Sequence, residues 1–130
     1  MQPAGDKAGF PKREHLKSSL QIQRVLSGKR SLFVYPIKCY YTQDSNTPDV
    51  PCRLALIVPK RRFAKSVDRN RIKRLMREAY RLNKHILACQ AAPLQMCWIF
   101  IGSSMPDFAT IQQSAVDILN KLNTLHVQQS

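Results

Sequence analysis

Acidic residues are scarce in this 130-residue chain, where eight Asp and Glu stand against 21 Lys and Arg. Asp6, Glu14, Asp44, Asp49, Asp68, Glu78, Asp107 and Asp117 are scattered, and several are natural caps or loop residues. A protein that cuts phosphodiesters with metal ions needs carboxylates gathered around Mg2+ or its equivalent. No such cluster is present. The three histidines, His15, His85 and His126, are equally dispersed, which excludes a paired-imidazole nuclease. His85 reads as a helix-surface residue and His126 as a helix-terminal one. The four cysteines, Cys39, Cys52, Cys89 and Cys97, contain no Cys-x-x-Cys pair, so zinc-ligand spacing is missing. Cys39 and Cys97 fall in expected strands and read as small core residues. There is no Walker loop, no Gly-x-Gly-x-x-Gly and no nucleophile elbow. Apolar runs are too short to span a membrane. The N-terminus has no apolar signal core, and Asp6 among Gly and Pro argues against an Arg-rich transit helix. The expectation is a soluble cytoplasmic binding protein, with no cofactor or metal held by its side chains and no membrane partner.

What is present is charge of one sign. The formal net charge is +13, and 44% of residues are apolar, enough for one modest core. Nucleic acid, an anionic surface and an acidic protein all suit such a chain on charge alone. Of the 21 Lys and Arg only Lys121 follows residue 84. The last third therefore reads as scaffold, and the first two thirds carry the binding surface.

Residues 1–12 read as a flexible lead-in to a single domain at 13–127. Ser18 or Ser19 caps a short helix with Leu20, Ile22, Val25 and Leu26, ended by Gly28. Residues 31–42 are β-rich, with Pro36 placing the start of the stretch at an edge or bulge. A polar loop over 43–51 precedes a buried strand at 53–58. A basic connection over 59–67 leads to a long helix that ends before Ala91-Ala92-Pro93, and 94–101 is the next strand. Asp107 then caps a last helix with Phe108, Ile111, Ala115, Ile118, Leu122 and Leu125 at core spacing. No internal repeat or low-complexity tract appears. The order α-β-β-α-β-α predicts an α/β (α+β) two-layer sandwich, with helices packed on a small mixed sheet.

The central helix has two unlike sides. Ile72, Leu75, Met76, Ala79 and Ile86 recur at helical spacing and make an apolar stripe. Arg69, Lys73 and Arg77 stack four apart, with Asn70, Arg74, Arg77 and Arg81 in the neighbouring rows. Ser66 or Asp68 can serve as N-cap. About 19 helical residues span roughly 29 Å, enough to lie across a folded polyanion. Asp68 and Glu78 are the only acids between Lys60 and Lys84. An ordinary solvated face mixes both signs, whereas this one repels itself until a multivalent phosphate partner compensates.

The string Arg69-Asn70-Arg71-Ile72-Lys73-Arg74-Leu75 closely resembles the signature helix of the bacterial ribonuclease P protein subunit. Leu54-Ala55-Leu56-Ile57-Val58-Pro59-Lys60-Arg61 is similar to that family's central strand ending in two bases. Phe10-Pro11-Lys12-Arg13-Glu14-His15-Leu16-Lys17 resembles its opening segment. The likeness covers roughly residues 10–125. It implies a left-handed β-α-β crossover where the usual rule gives a right-handed one. It also implies the partners: a large catalytic RNA that performs metal-assisted hydrolysis, and precursor tRNA whose 5′ leader is removed. Mg2+ belongs to that holoenzyme through the RNA. The protein is implied to hold the leader, to raise affinity for precursor over mature tRNA and to support catalytic metal binding.

By the same resemblance Arg69, Asn70, Arg71, Lys73 and Arg74 contact the catalytic RNA, and Lys60 and Arg61 match the paired bases. Arg62, Lys65 and Arg77 extend that patch by charge, and Arg13 and Lys17 match basic positions of the opening segment. The family's leader cleft lies between the first helix and the sheet. Its positions here are Ile22 and Leu26, with Lys38 and Tyr40 or Tyr41 on the strand. Ile22 and Leu26 are aliphatic where many members carry Phe, which removes stacking platforms from that helix. Pro59 stands where a small residue is common and stiffens the turn. The alternative is a general RNA-binding or ribosome-associated protein with no enzymatic role. A DNA reader is disfavoured because no helix-turn-helix spacing precedes the arginine helix.

Overall fold

Leu94-Gln95-Met96-Cys97-Trp98-Ile99-Phe100 is buried at every position but Ile99, a pattern that requires a strand covered on both faces. The computed structural model describes His15 and residues 19–28, 30–43, 52–87 and 94–129, with the backbone alone for 43 and 125–129. The lead-in at 1–12, Arg13, Lys17, Ser18, the loop at 44–51 and Cys89 lie outside the described residues, as do the side chains of Leu125 and His126. The chain runs α1 (Ser19–Ser27), β1 (Ser31–Val34), β2 (Ile37–Gln43), β3 (Cys52–Ile57) and α2 (Ser66–Asn83). A 3₁₀ turn (Lys84–Leu87), β4 (Leu94–Phe100) and α3 (Phe108–Gln129) follow.

The sheet order is β1-β2-β4-β3, which puts the apolar β4 inside. β1 with β2 and β2 with β4 are antiparallel, whereas β3 and β4 are parallel. A parallel pair needs a crossover, and α2 supplies it. The β-rich stretch at 31–42 is two strands, turned at Tyr35-Pro36, whose peptide bond is cis. Val34 pairs with Ile37 across that turn. Proline offers no N–H to a ladder, so the stretch folds back there. The expected order thereby gains a strand and becomes α-β-β-β-α-β-α.

Alternation sorts the strands onto two faces. Ile37, Cys39 and Tyr41 of β2 join Leu94, Met96, Trp98 and Phe100 of β4 against α2 and α3. From α2 come Ile72, Met76, Ala79 and Tyr80, and from α3 Ile111, Ala115, Ile118, Leu119 and Leu122. Each large apolar side chain buried this way contributes about 1.5–3 kcal/mol. Tyr80, absent from the expected stripe, stands edge-on to Trp98 with ring centroids 5.6 Å apart. Leu75 and Ile86 are only half-buried beside this core. On the opposite face α1 seats Val25 over Ala55 and Cys97, flanked by Ile22, Leu26, Tyr40 and Ile57. Leu20, expected on the same stripe, points outward and is 64% exposed.

Two helix starts differ in kind. Asp107 caps α3 as expected, its Oδ1 accepting from the Thr110 N–H at 2.9 Å. Neither Ser66 nor Asp68 caps α2. Its N-cap is Lys65, in extended conformation and with no side-chain cap bond. Ser114, buried in α3, donates its hydroxyl to the Val34 carbonyl at 2.6 Å and ties the helix to the edge hairpin. Gly102 has a clear reason to lack a side chain. A Cβ there would meet the Phe100 ring at 2.7 Å.

Candidate nucleic-acid interface

The basic surface begins where β3 ends. The Pro59 carbonyl accepts from the N–H groups of Arg62 (3.1 Å) and Phe63 (3.3 Å), closing a turn. Lys60, Arg61 and Arg62 are exposed on that turn, while Phe63 turns inward with its ring 5.7 Å from Phe100. Phe63 is thus the anchor of the basic turn, which charge reading alone overlooks. Its signal in the sequence is a single aromatic among cations.

Arg69 holds the next joint. Its Nη1 donates to the carbonyls of Phe63 (2.9 Å) and Ala64 (2.8 Å). These bonds leave the first-turn N–H groups uncapped but pin the incoming loop to the helix it enters. Sequence reasoning takes Arg69 for an RNA contact; its first task in the fold is positioning. Lys65, Asn70, Arg71, Arg74 and Arg77 are exposed, and Lys73 is half-buried along its stem. None of them pairs with a carboxylate among the described residues. Glu78 is engaged by Arg81, whose Nε donates to Oε1 at 3.1 Å while Nη2 bonds Oε2. That hydrogen bonding holds the Glu78 carboxyl below its ordinary range. Asp68 sits in the first turn, where negative charge suits the helix dipole. The cationic row therefore keeps its charge for a partner.

A second surface lies on the α1 side of the sheet. Strand alternation decides between the two tyrosines. Tyr41 enters the core and is 9% exposed, whereas Tyr40 lies under α1 beside Ile22 and Leu26. The Lys38 ammonium stands 5.1 Å from the centre of the Tyr40 ring. All four residues expected at the cleft are therefore brought together. Arg53, not expected there, occupies the same face in register with Gln95. Its Nε is buried without a hydrogen-bond partner among the described residues. The alternation Arg53, Ala55, Ile57 carries the signal that would have placed it.

Three of the cysteines belong to packing: Cys39, Cys52 and Cys97 are buried and in no disulfide. Burial raises the Cys39 thiol well above its ordinary range, with Cys52 adding to it. Burial pushes Cys97 up to about 11. Among the described residues no three His, Cys, Asp or Glu side chains gather to hold a metal ion, and no helix is long and apolar enough to cross a membrane.

The family model described as Ribonuclease P matches residues 10–123, from the opening segment through most of α3. The chain belongs to the ribonuclease P protein family. A ribonuclease P protein component from Porphyromonas gingivalis is 34% identical over 110 residues, covering 82% of this chain and 80% of that one. The component from Chlorobaculum tepidum is 60% identical over 40 residues, 31% of this chain and 26% of that one. The ribonuclease P protein of Thermotoga maritima shares the fold with a TM-score of 0.69 at 20% identity, covering 84% of this chain and 97% of that one. That of Staphylococcus aureus gives 0.67 at 20% identity, covering 87% and 97%. The mixed sheet with the three helices of the described residues has the ribonuclease P protein fold, and the chain is a protein component of this tRNA-processing ribonuclease.

Proposed function

We propose that this ribonuclease P protein assembles with the catalytic RNA through the 60–65 turn and the outer face of α2. The cleft between α1 and the sheet then holds the 5′ leader of precursor tRNA. One observation carries this reading: the sheet separates the two surfaces. α2, whose Arg71, Lys73, Arg74 and Arg77 pair with no carboxylate among the described residues, packs on one face, and α1, with Tyr40 and Lys38, on the other. Guanidinium and ammonium groups without carboxylate partners suit the converging phosphates of a folded RNA. A half-buried tyrosine with a lysine over it suits a single strand, offering a ring to a base and a charge to its phosphate. Hydrolysis is assigned to the RNA, with Mg2+ held by RNA oxygens. The protein supplies positioning and charge.

The test is a pair of titrations on each variant. The first measures binding to a bacterial ribonuclease P RNA. The second measures binding of the assembled complex to tRNA with and without a leader. Arg71→Ala or Arg74→Ala should weaken assembly by on the order of 1–3 kcal/mol for one lost charge-assisted contact. Once saturating protein restores the complex, the precursor-to-mature ratio should change little. Ile22→Asp or Tyr40→Ala should do the reverse. Equal losses of both properties in every variant would make this one undifferentiated basic surface. Cleavage of precursor tRNA by rigorously RNA-free protein would overturn the assignment of chemistry to the RNA.

A further inference from the structure

Among the described residues, Phe33 and Tyr35 are the two exposed aromatic side chains, at 55% and 62% exposure. Phe33 sits on the edge strand β1 between Leu32 and Val34, which turn the other way to pack against the main core. Its cross-strand partner is Lys38, the same lysine whose ammonium lies over Tyr40. Tyr35, in the turn, meets Phe33 edge-on, with centroids 6.4 Å apart and rings at 87°. An edge-on pair fixes two rings while leaving flat faces open. Two strand spacings, about 10 Å, separate β1 from the β4 floor beneath α1.

We infer that Phe33 and Tyr35 form an outer base-stacking platform for single-stranded RNA, namely leader nucleotides that lie beyond the α1 cleft. The inference rests on the leader-cleft reading above and extends it to a second place. α1 carries Ile22 and Leu26 and so offers no ring to a base, whereas the hairpin offers two. Charge selects the occupant. No acid lies between Glu14 and Asp44, a segment that includes all of α1, β1 and β2. Arg30 is exposed beside the hairpin. A second copy of a +13 chain would meet like charge here, whereas a phosphate backbone meets the opposite sign. Stacking on aromatic faces tolerates any base, so the platform reads leader length more than leader sequence.

The experiment uses the full chain assembled with ribonuclease P RNA and precursors whose leaders are lengthened one nucleotide at a time. The variant is Phe33→Leu with Tyr35→Leu, which keeps apolar bulk and removes the rings. Beyond a threshold leader length its affinity should fall roughly five-fold or more below wild type. With the shortest leaders and with mature tRNA the two proteins should match. Phe33→Trp should retain the long-leader affinity. A base analogue quenched by stacking, placed at the threshold position, should lose its quenching in the leucine variant alone. Equal losses at every length, mature tRNA included, would overturn the inference. So would no loss at any length, or a wild-type self-association in sedimentation that the variant abolishes. Tyr40→Ala, run in parallel, separates the two claims. If it erodes leader preference while the hairpin variant does not, only the platform falls. If neither has an effect, the leader cleft falls with it.

Discussion

Tyr40 and Tyr41 are neighbours of the same residue type with opposite fates. The strand period of two sends Tyr41 into the core and leaves Tyr40 under α1, and nothing local to either residue distinguishes them. Cys97 illustrates how burial alone sets a residue's chemistry. Its thiol is raised from 9.0 to about 11 because the charged form is desolvated beneath α1. Between those values the folded chain keeps a proton that the unfolded chain has released. Stability from this group is thus intact below about pH 9 and is lost as pH rises towards 11. Urea unfolding near pH 8 and near pH 10.5 should show wild type losing more stability between the two than Cys97→Ala. Parallel losses would mean that Cys97 ionises alike in both states.

At the scale of elements, α2 was legible in outline. Its amphipathic period gave the helix, and its one-sided charge gave the outward face. Its beginning was not legible. Ser66 and Asp68 are good capping residues by type, yet the start is secured by Arg69 reaching back to the carbonyls of Phe63 and Ala64. A backward bond from a long side chain depends on the path of the preceding loop, which spacing does not record. Arg69→Ala should therefore destabilise the fold by about 1–2 kcal/mol, since two hydrogen bonds from a charged donor are lost. Arg74→Ala, on the exposed face, should stay within about 0.5 kcal/mol of wild type. Urea denaturation checks both. Equal stabilities would mean that Arg69 does not hold the loop to the helix. The hairpin was half legible in the same way. Pro36 marked an interruption, but only pairing showed two strands and a turn.

For the whole molecule, charge and shape act together. The net charge of +13 provides long-range attraction, and the sheet divides it into an α2 side and an α1 side. If the cations of α2 and the 60–65 turn clamp RNA phosphates, binding should weaken steeply with monovalent salt. The log–log slope should approach −0.7 to −0.9 per neutralised phosphate, roughly, summed over several contacts. A measured slope shallower than about −2 would contradict a multivalent clamp.

The sequence by itself determined the excess of positive charge, the family and most of the core. Those follow from composition, from the Arg-Asn-Arg string in its strand-to-helix setting, and from apolar periodicity, all of which are local or additive properties. It also contained Ile22, Leu26, Lys38 and Tyr40, though without their arrangement. Only the tertiary structure decided which tyrosine lies under α1, that Leu20 faces outward, and that Arg53, Phe33 and Tyr35 share the α1 side of the sheet. The physical reason is that strand order and register are set by long-range pairing. β3 and β4 are far apart in sequence yet lie side by side, and that pairing fixes which side chains meet.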